Sequence, residues 1–350
     1  MNASSVSNPQ NNFNFLRLFF ASLVLLAHAP ELVDGSNKRE ILSRIFGTAT
    51  FGELAVNGFF LLSGYLIVQS WLRTPAAFYF IQKRILRIFP AFILASLVCG
   101  LIVGPLAGSA DYFDEFAPIP FAVGVLLLQQ PVLPATFANT YFPLTNGAMW
   151  TISLEFCCYM LVVVTGLLGI VQRRALWAAL TCAVFMVLLT RKLGHPLPDL
   201  YMGLLASGQF MPLAACFLTG GCFFLFSEKI RFTPLLATLA AILLILCMFS
   251  WRASGFALAL PGAYLLFYFA FTSIPLLAQF SRLPDVSYGV YLYGFPVQKI
   301  LLWYVPSMSP WILFPLSLLA SLVLGAVSWY AIEKPCMSLK KKRPLEVAIA

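Results

Sequence analysis

Of the two histidines in the chain, His28 falls inside a long apolar stretch and His195 in a proline-rich connection. Imidazole has an ordinary pKa of about 6.5, so it takes up and releases protons near neutral pH. In a membrane span such a group costs about 2.5–3.5 kcal/mol on insertion scales and is a functional candidate by default. Arg17 stands eleven residues before His28. In a helix that is ~16 Å and three turns, leaving both within ~20° of one face. A ligand lying on that face meets a cation at one membrane surface and a proton acceptor deep in the span. The plainer alternative is an imidazole that hydrogen-bonds a neighbouring carbonyl. Glu155, in Trp150-Thr151-Ile152-Ser153-Leu154-Glu155, is the second candidate. A carboxylate beside an imidazole fixes its tautomer and stabilises the imidazolium, and span arithmetic brings Glu155 to about the depth of His28. Its alternative is an ion pair joining two helices.

Between two spans lies Phe78-Tyr79-Phe80-Ile81-Gln82-Lys83-Arg84-Ile85-Leu86-Arg87-Ile88-Phe89-Pro90. Arg84 and Arg87 are one helical turn apart with Lys83 adjacent, and forked guanidinium groups suit phosphate. Basic amphipathic segments also simply hold lipid headgroups. Asn57-Gly58-Phe59-Phe60-Leu61-Leu62-Ser63-Gly64-Tyr65 offers small residues for close helix approach, or room for a thin ligand. Ser287-Tyr288-Gly289-Val290-Tyr291-Leu292-Tyr293-Gly294-Phe295-Pro296 opens a later span with hydroxyls on several faces, and Glu333-Lys334-Pro335 closes the last one.

The elements that carry these residues must be membrane helices. The 350 residues are 61% hydrophobic and 10% charged, against roughly 45–50% and 25% in a soluble domain. The apolar stretches are long and continuous, unlike the ~10-residue alternating strands of a membrane barrel. An all-α polytopic bundle follows, with about ten spans near 13–30, 53–72, 88–107, 148–171, 174–190, 203–226, 233–250, 256–277, 286–304 and 311–331. Residues 1–335 form one integral-membrane domain, with 336–350 a basic tail. The segment Leu18–Leu26 ahead of Ala27-His28-Ala29 mimics a cleavable signal, but it leads into further spans and its leader has no positive charge before Arg17. It reads as an uncleaved first helix.

The net charge of +9 is taken as orientation rather than nucleic-acid binding. Fourteen Lys and Arg residues fall in one set of connections and six in the other, placing both termini in the cytoplasm. The connection 108–147 then faces outward, and its apolar piece Phe121–Leu128 is too short to span, reading as interfacial or re-entrant. The eight cysteines form no C-x2-C pair and read as core residues rather than metal ligands.

Arg17-x10-His28, Gly58-Phe59-Phe60-Leu61-Leu62-Ser63-Gly64-Tyr65, Arg84-x2-Arg87-x2-Pro90, Trp150-Thr151-Ile152-x2-Glu155, Ser287-Tyr288-x2-Tyr291-Leu292 and Ile332-Glu333-x-Pro335 occur in order across nearly the whole chain. In this the sequence resembles bacterial membrane acyltransferase family 3, polytopic O-acyltransferases of cell-envelope and exported glycans. The resemblance implies a bacterial inner-membrane enzyme taking acyl groups from acyl-CoA, with acetyl-CoA the favoured donor, and no metal. It implies His28 as general base, and Arg84 and Arg87 at the CoA end with Arg17 and Lys83. Glu155 would orient His28. Asn57, Ser63, Tyr65, Trp150, Tyr288 and Tyr291 would contact substrate, Ser63 and Tyr65 as oxyanion donors. The acceptor would be a glycan or other hydroxyl compound. One departure stands out: the family often has His where this chain has Gly294. The rival class is a proton-coupled or lipid-linked sugar transporter with His28 and Glu155 as a relay.

Overall fold

The computed structural model describes residues 11–194 and 208–339. His195 and the basic tail beyond residue 339 lie outside the described residues. The protein is 75% helical and, among the described residues, has no strand. Ten helices organise it: α1 (Phe13–Asp34), α2 (Phe51–Arg73), α3 (Ala77–Ala107), α4 (Trp150–Leu167), α5 (Arg174–Lys192), α6 (Phe210–Leu225), α7 (Pro234–Met248), α8 (Ser254–Phe271), α9 (Ser287–Tyr304) and α10 (Pro310–Ser338). Seven of them, α1 to α5, α8 and α10, are long and apolar enough to cross a membrane, while α6 and α7 are apolar but shorter. The chain is a multi-pass membrane protein.

Helix ends follow local chemistry. A capping box opens α2, with Thr50 and Glu53 satisfying each other's backbone N–H groups. Gly35 ends α1 in the left-handed conformation, φ 69°. Two boundaries differ from the sequence expectation. The third helix starts at Ala77, not near residue 88, and Pro90 lies inside it. Membrane helices tolerate such a proline because neighbours re-satisfy the freed carbonyl. Lys83, Arg84 and Arg87 therefore belong to a continuous helix rather than to a surface segment. The last helix likewise continues past residue 335 to Ser338.

Glycines set the closest crossings. A Cβ on Gly64 would lie 1.9 Å from the Phe217 carbonyl oxygen, and one on Gly220 2.0 Å from that of Leu61, so α2 and α6 touch backbone to backbone. Gly58 is covered by the Phe20 ring. These small residues serve packing: at Gly64 the α6 backbone, and at Gly58 the Phe20 ring, takes the space a side chain would need. Phe20 facing Gly58, and Ala27 facing Gly52 at 3.3 Å, fix the antiparallel register of α1 against α2. On the other side of α1, α9 runs parallel to it: Gln298 Nε2 donates to the Leu25 carbonyl at 2.8 Å.

The connection from α3 to α4 plunges into the bundle. Asn146 Nδ2 donates to the Leu292 carbonyl at 2.9 Å, and the Tyr291 hydroxyl donates to that of Ala148 at 2.6 Å. Leu292 lies twelve residues before Tyr304, the last residue of α9, which is ~18 Å along the axis. Irregular backbone is tolerated at such depth because its polar groups are bonded to protein. The re-entrant part is thus the approach to Trp150. The piece expected to be interfacial or re-entrant forms a short helix, Pro118–Leu126, whose Phe121 packs on Gly100 of α3. The depth of the loop matters below, because α4 begins well inside the bundle rather than at its surface.

Candidate active site

At the end of the bundle where α1 begins, a cavity opens between α1, α2, α3, α4 and α9. Arg17, Ser63, Arg84, Arg87, Glu155 and Tyr288 line it, and Tyr291 closes its far end. Three cations thus meet in one cavity, and their pairing differs. Arg17 and Arg87 share Asp285, at 2.9 and 2.7 Å, and Arg87 also reaches Glu333 at 3.1 Å. Asp285 stands just ahead of α9. Burial pushes its carboxyl pKa up, but Arg87 and Arg17 outweigh that and hold it down to about 2, so it is ionised throughout the neutral range. Arg84 has no ion pair among the described residues. Its guanidinium lies against the rings of Phe80 and Tyr159, 5.5 and 5.8 Å from their centres, and its buried Nε has no hydrogen-bond partner. The two arginines expected to act as one fork are therefore unlike: Arg87 is saturated by two carboxylates, and Arg84 is the cation left to meet an anion.

Glu155 does not stand beside His28. Its Oε1 accepts from Ser63 Oγ and from the Tyr159 hydroxyl, both at 2.6 Å. By the α1–α2 register, Ser63 is level with Phe15 or Leu16, twelve or so residues and ~18 Å from the level of His28. The expectation assumed that α4 starts at the membrane surface, whereas the re-entrant loop lowers its start. Ser63 in turn donates to Glu155, and Tyr65 is packed among Phe13, Phe224, Phe267 and Phe271. Neither is placed to serve an oxyanion at His28.

The carboxylate that does meet His28 is Glu31, one turn on along the same helix. His28 Nδ1 lies 2.9 Å from Glu31 Oε2. An ionised carboxylate can only accept, so Nδ1–H is the donor, and in the neutral ring Nε2 is left with the lone pair. The ring is held edge-on to Phe295 at 5.2 Å. The side chains of His28 and Glu31 remain 22% and 28% exposed, so the pair is reachable from outside the packed core. His28 sits at the start of the last third of α1, past the middle of the span and six residues before Asp34. Phe295 is one turn beyond Tyr291 on α9, so a single helical turn, ~6 Å, separates the end of the cavity from the ring that supports His28.

The other expected positions divide between cavity and scaffold. Tyr291 binds Thr151 Oγ1 at 2.6 Å as well as the Ala148 carbonyl. Tyr288 donates to the Ile88 carbonyl at 3.1 Å and faces Arg87. Asn57 donates to the Glu53 carbonyl and accepts from Cys216 Sγ, on a different face of α2 from the cavity. Trp150 and Lys83 do not line the cavity. Gly294 is filled from α1: a Cβ there would meet Leu25 Cδ1 at 2.3 Å, so the place of a second histidine is taken by Leu25. Three functional candidates went unnoticed in the sequence. Glu31 was signalled by its i+3 spacing from His28, Asp285 by its place two residues before Ser287-Tyr288, and Lys299 by being a cation inside a span. Lys299 is 3% exposed and donates to Thr140 Oγ1 at 2.8 Å and the Phe142 carbonyl at 2.7 Å, pinning the plunging loop.

Known proteins resemble the chain over nearly its whole length. The family model described as acyltransferase domain matches residues 10–330. An O-acetyl transferase of Shigella phage Sf6 is 28% identical over 343 residues, covering 93% of this chain and 96% of the relative. Nodulation protein 10 of Rhizobium leguminosarum bv. viciae is 28% identical over 375 aligned residues, with 95% of each chain covered. Acyltransferase MdmB of Streptomyces mycarofaciens is 28% identical over 149 residues, 41% of this chain and 36% of the relative. No solved structure gives a significant match.

Proposed function

The chain belongs to the acyltransferase family whose domain model it matches over residues 10–330, and from that premise we propose that it is an acyl-CoA-dependent O-acetyltransferase of the bacterial inner membrane. Its acceptor is a hydroxyl of an envelope or exported glycan. The observation that carries this reading is the alignment of two unlike sites along α1 and α9: a cavity holding the unpaired Arg84, and beyond one turn of α9 the His28–Glu31 pair. A phosphate-bearing donor fits the first and a hydroxyl acceptor the second. An extended pantetheine arm, built of a few amide-length units, is of the length of the Arg17–His28 rise.

The chemistry follows from the hydrogen bond. Glu31 holds Nδ1–H, so Nε2 takes the proton of the acceptor hydroxyl as its oxygen attacks the thioester carbonyl. The C–O bond forms, the C–S bond breaks, and the proton passes from His28 to the leaving thiolate. Glu31 stabilises the imidazolium in between, as the third group of a nucleophile–base–orienter set does. The arm reaches His28 past Tyr291 and Phe295. Glu155, bonded to Ser63 and Tyr159, shapes the donor cavity beside Arg84 instead of serving the base.

The test is purified protein in lipid nanodiscs given radiolabelled acetyl-CoA. Acceptor-dependent transfer, or slow hydrolysis without acceptor, is expected, and a transporter shows neither. Mass spectrometry of surface glycans from deletion and complemented cells then identifies the acetylated sugar. The ten helices are further proposed to be ten spans with both termini cytoplasmic, on the fourteen-to-six Lys and Arg asymmetry. Alkaline phosphatase fused to either terminus should stay inactive, and activity at the C-terminus would overturn the count.

A further inference from the structure

A second concavity, of about 240 Å³, lies on the flank of the bundle between α1, α2, α7 and α8. It shares no residue with the cationic cavity. Its walls are apolar, among them Leu16, Phe20, Leu61, Leu258 and Leu265, and Asn57 is the one polar side chain lining it. Positions 16, 20, 27 and 31 of α1 fall within about 60° of one another around the axis. The face of α1 that walls the groove is therefore crowned by Glu31, the partner of His28.

Above the same end sits a cationic turn. Leu258 of the groove is also part of a small buried cluster with Ala49 and Met248, and the chain leaves α7 at Met248 into the turn holding Trp251. That ring is 58% exposed, with Lys192 Nζ 4.8 Å and the Arg252 guanidinium 5.4 Å from its centre. Lys192 also donates to the Trp251 carbonyl at 3.1 Å, which fixes its ammonium at this spot. Neither cation has an ion pair among the described residues, although Glu53 is within electrostatic reach of Lys192. An apolar groove in a bilayer that ends under two cations, Lys192 held by its bond to the Trp251 carbonyl and Arg252 on the same ring, is complementary to an amphiphile with a long tail and an anionic head. A neutral lipid would leave the cations unused, and a free sugar would leave the groove unused.

We infer that this flank binds the acceptor as a polyprenyl-phosphate-linked glycan, with its tail in the groove, its phosphate at Lys192 and Arg252, and its sugar delivered laterally to His28. The inference rests on the acyltransferase reading for the sugar's fate, but the binding site can be tested alone. Native mass spectrometry of the full-length protein would compare polyprenyl phosphate, the neutral polyprenol and phosphatidylglycerol. Polyprenyl phosphate should bind about tenfold or more tightly than either competitor. Leu265→Trp, which fills the groove, should lose that binding, whereas Leu246→Trp, on a 65% exposed position of α7 away from the groove, should keep it. Lys192→Gln with Arg252→Gln should abolish the preference for phosphate over alcohol. Leu244→Trp stands in if Leu265→Trp does not fold, as judged by its unfolding midpoint. Equal binding of phosphatidylglycerol, or unaltered binding in the filled-groove variant, overturns the site. Loss of acetyl-CoA turnover in the unmodified protein with selective lipid binding intact would instead sink the acyltransferase chemistry and leave the groove standing.

Discussion

His28→Ala should lower transfer by about 10²–10⁴-fold, the usual contribution of a positioned general base, while the protein still inserts and binds donor. The arrangement of α1 supports both halves of that expectation. His28 touches Phe295 and Glu31 and lines no part of the cationic cavity, so its removal takes away the proton acceptor without touching the donor cavity. Replacing a polar group by a methyl in a span also makes insertion easier. The loss should fall on kcat, with the KM for acetyl-CoA little changed, because proton removal is an interaction made only in the transition state. Glu31→Gln extends the test. The amide can still sit beside Nδ1 but cannot stabilise an imidazolium, and it can donate to Nδ1, which would move the ring proton to Nε2 and silence the base. Glu31→Asp retains charge at a shorter reach and should recover part of the rate. His28→Ala retaining more than about a tenth of wild-type transfer would remove general-base catalysis from this residue.

The bundle was legible because hydropathy is a one-dimensional signal, and His28 was singled out because a lone ionisable group in a span is another. The partners of His28 and of the arginines were not, and the reasons are specific. Glu155 was matched to His28 by counting residues from span ends, which presumes that each helix begins at a surface. The bonds from Tyr291 and Leu292 to the loop before Trp150 break that presumption, and no local pattern in residues 136–149 announces it. Glu31 escaped notice because the first span was ended near residue 30, whereas Pro30 is accommodated within α1 and the helix runs on to Asp34. For α3 the start was placed near residue 88 because Lys83, Arg84 and Arg87 read as a basic surface segment, whereas the helix begins at Ala77 and carries them within it. In a bilayer an unbroken helix is favoured because exposed backbone groups have no water to meet.

Arg84 and Arg87, which look like twins in sequence, should respond oppositely. Arg84 is a half-buried cation with a buried Nε and no carboxylate partner among the described residues, lining the cavity beside the Glu155–Tyr159 pair. Its value lies in an anion that arrives with substrate, and charge-assisted hydrogen bonds of that kind are worth about 1.5–3 kcal/mol. Arg84→Gln should therefore raise the KM for acetyl-CoA by roughly 10–100-fold with kcat within a few-fold, since uniform binding is what it removes. Arg84→Lys should recover only part, as the charge returns without the planar fork. Arg87 instead neutralises Asp285 and Glu333, the latter 1% exposed, and so joins α3 to the start of α9 and to the π-helical turn of α10 at Trp329–Glu333. Taking away one partner of a buried pair costs about 3–5 kcal/mol because the other charge is stranded, and here Glu333 would be stranded while Asp285 kept Arg17 alone. Arg87→Gln should thus appear first as lost folded yield and a lower unfolding midpoint. Asp285 adds a pH signature with a definite sign. Its depressed carboxyl, about 2 when folded, stabilises the fold above the ordinary carboxylate pKa of about 3.9, and that contribution fades as pH falls toward 2. Arg87→Gln removes the main group holding it down, so the variant should lose less stability than the parent between neutral pH and about pH 3. If Arg84→Gln collapses kcat at unchanged KM, or if Arg87→Gln is as stable as the parent while losing donor affinity, the division between a phosphate-binding and a bundle-holding arginine is wrong.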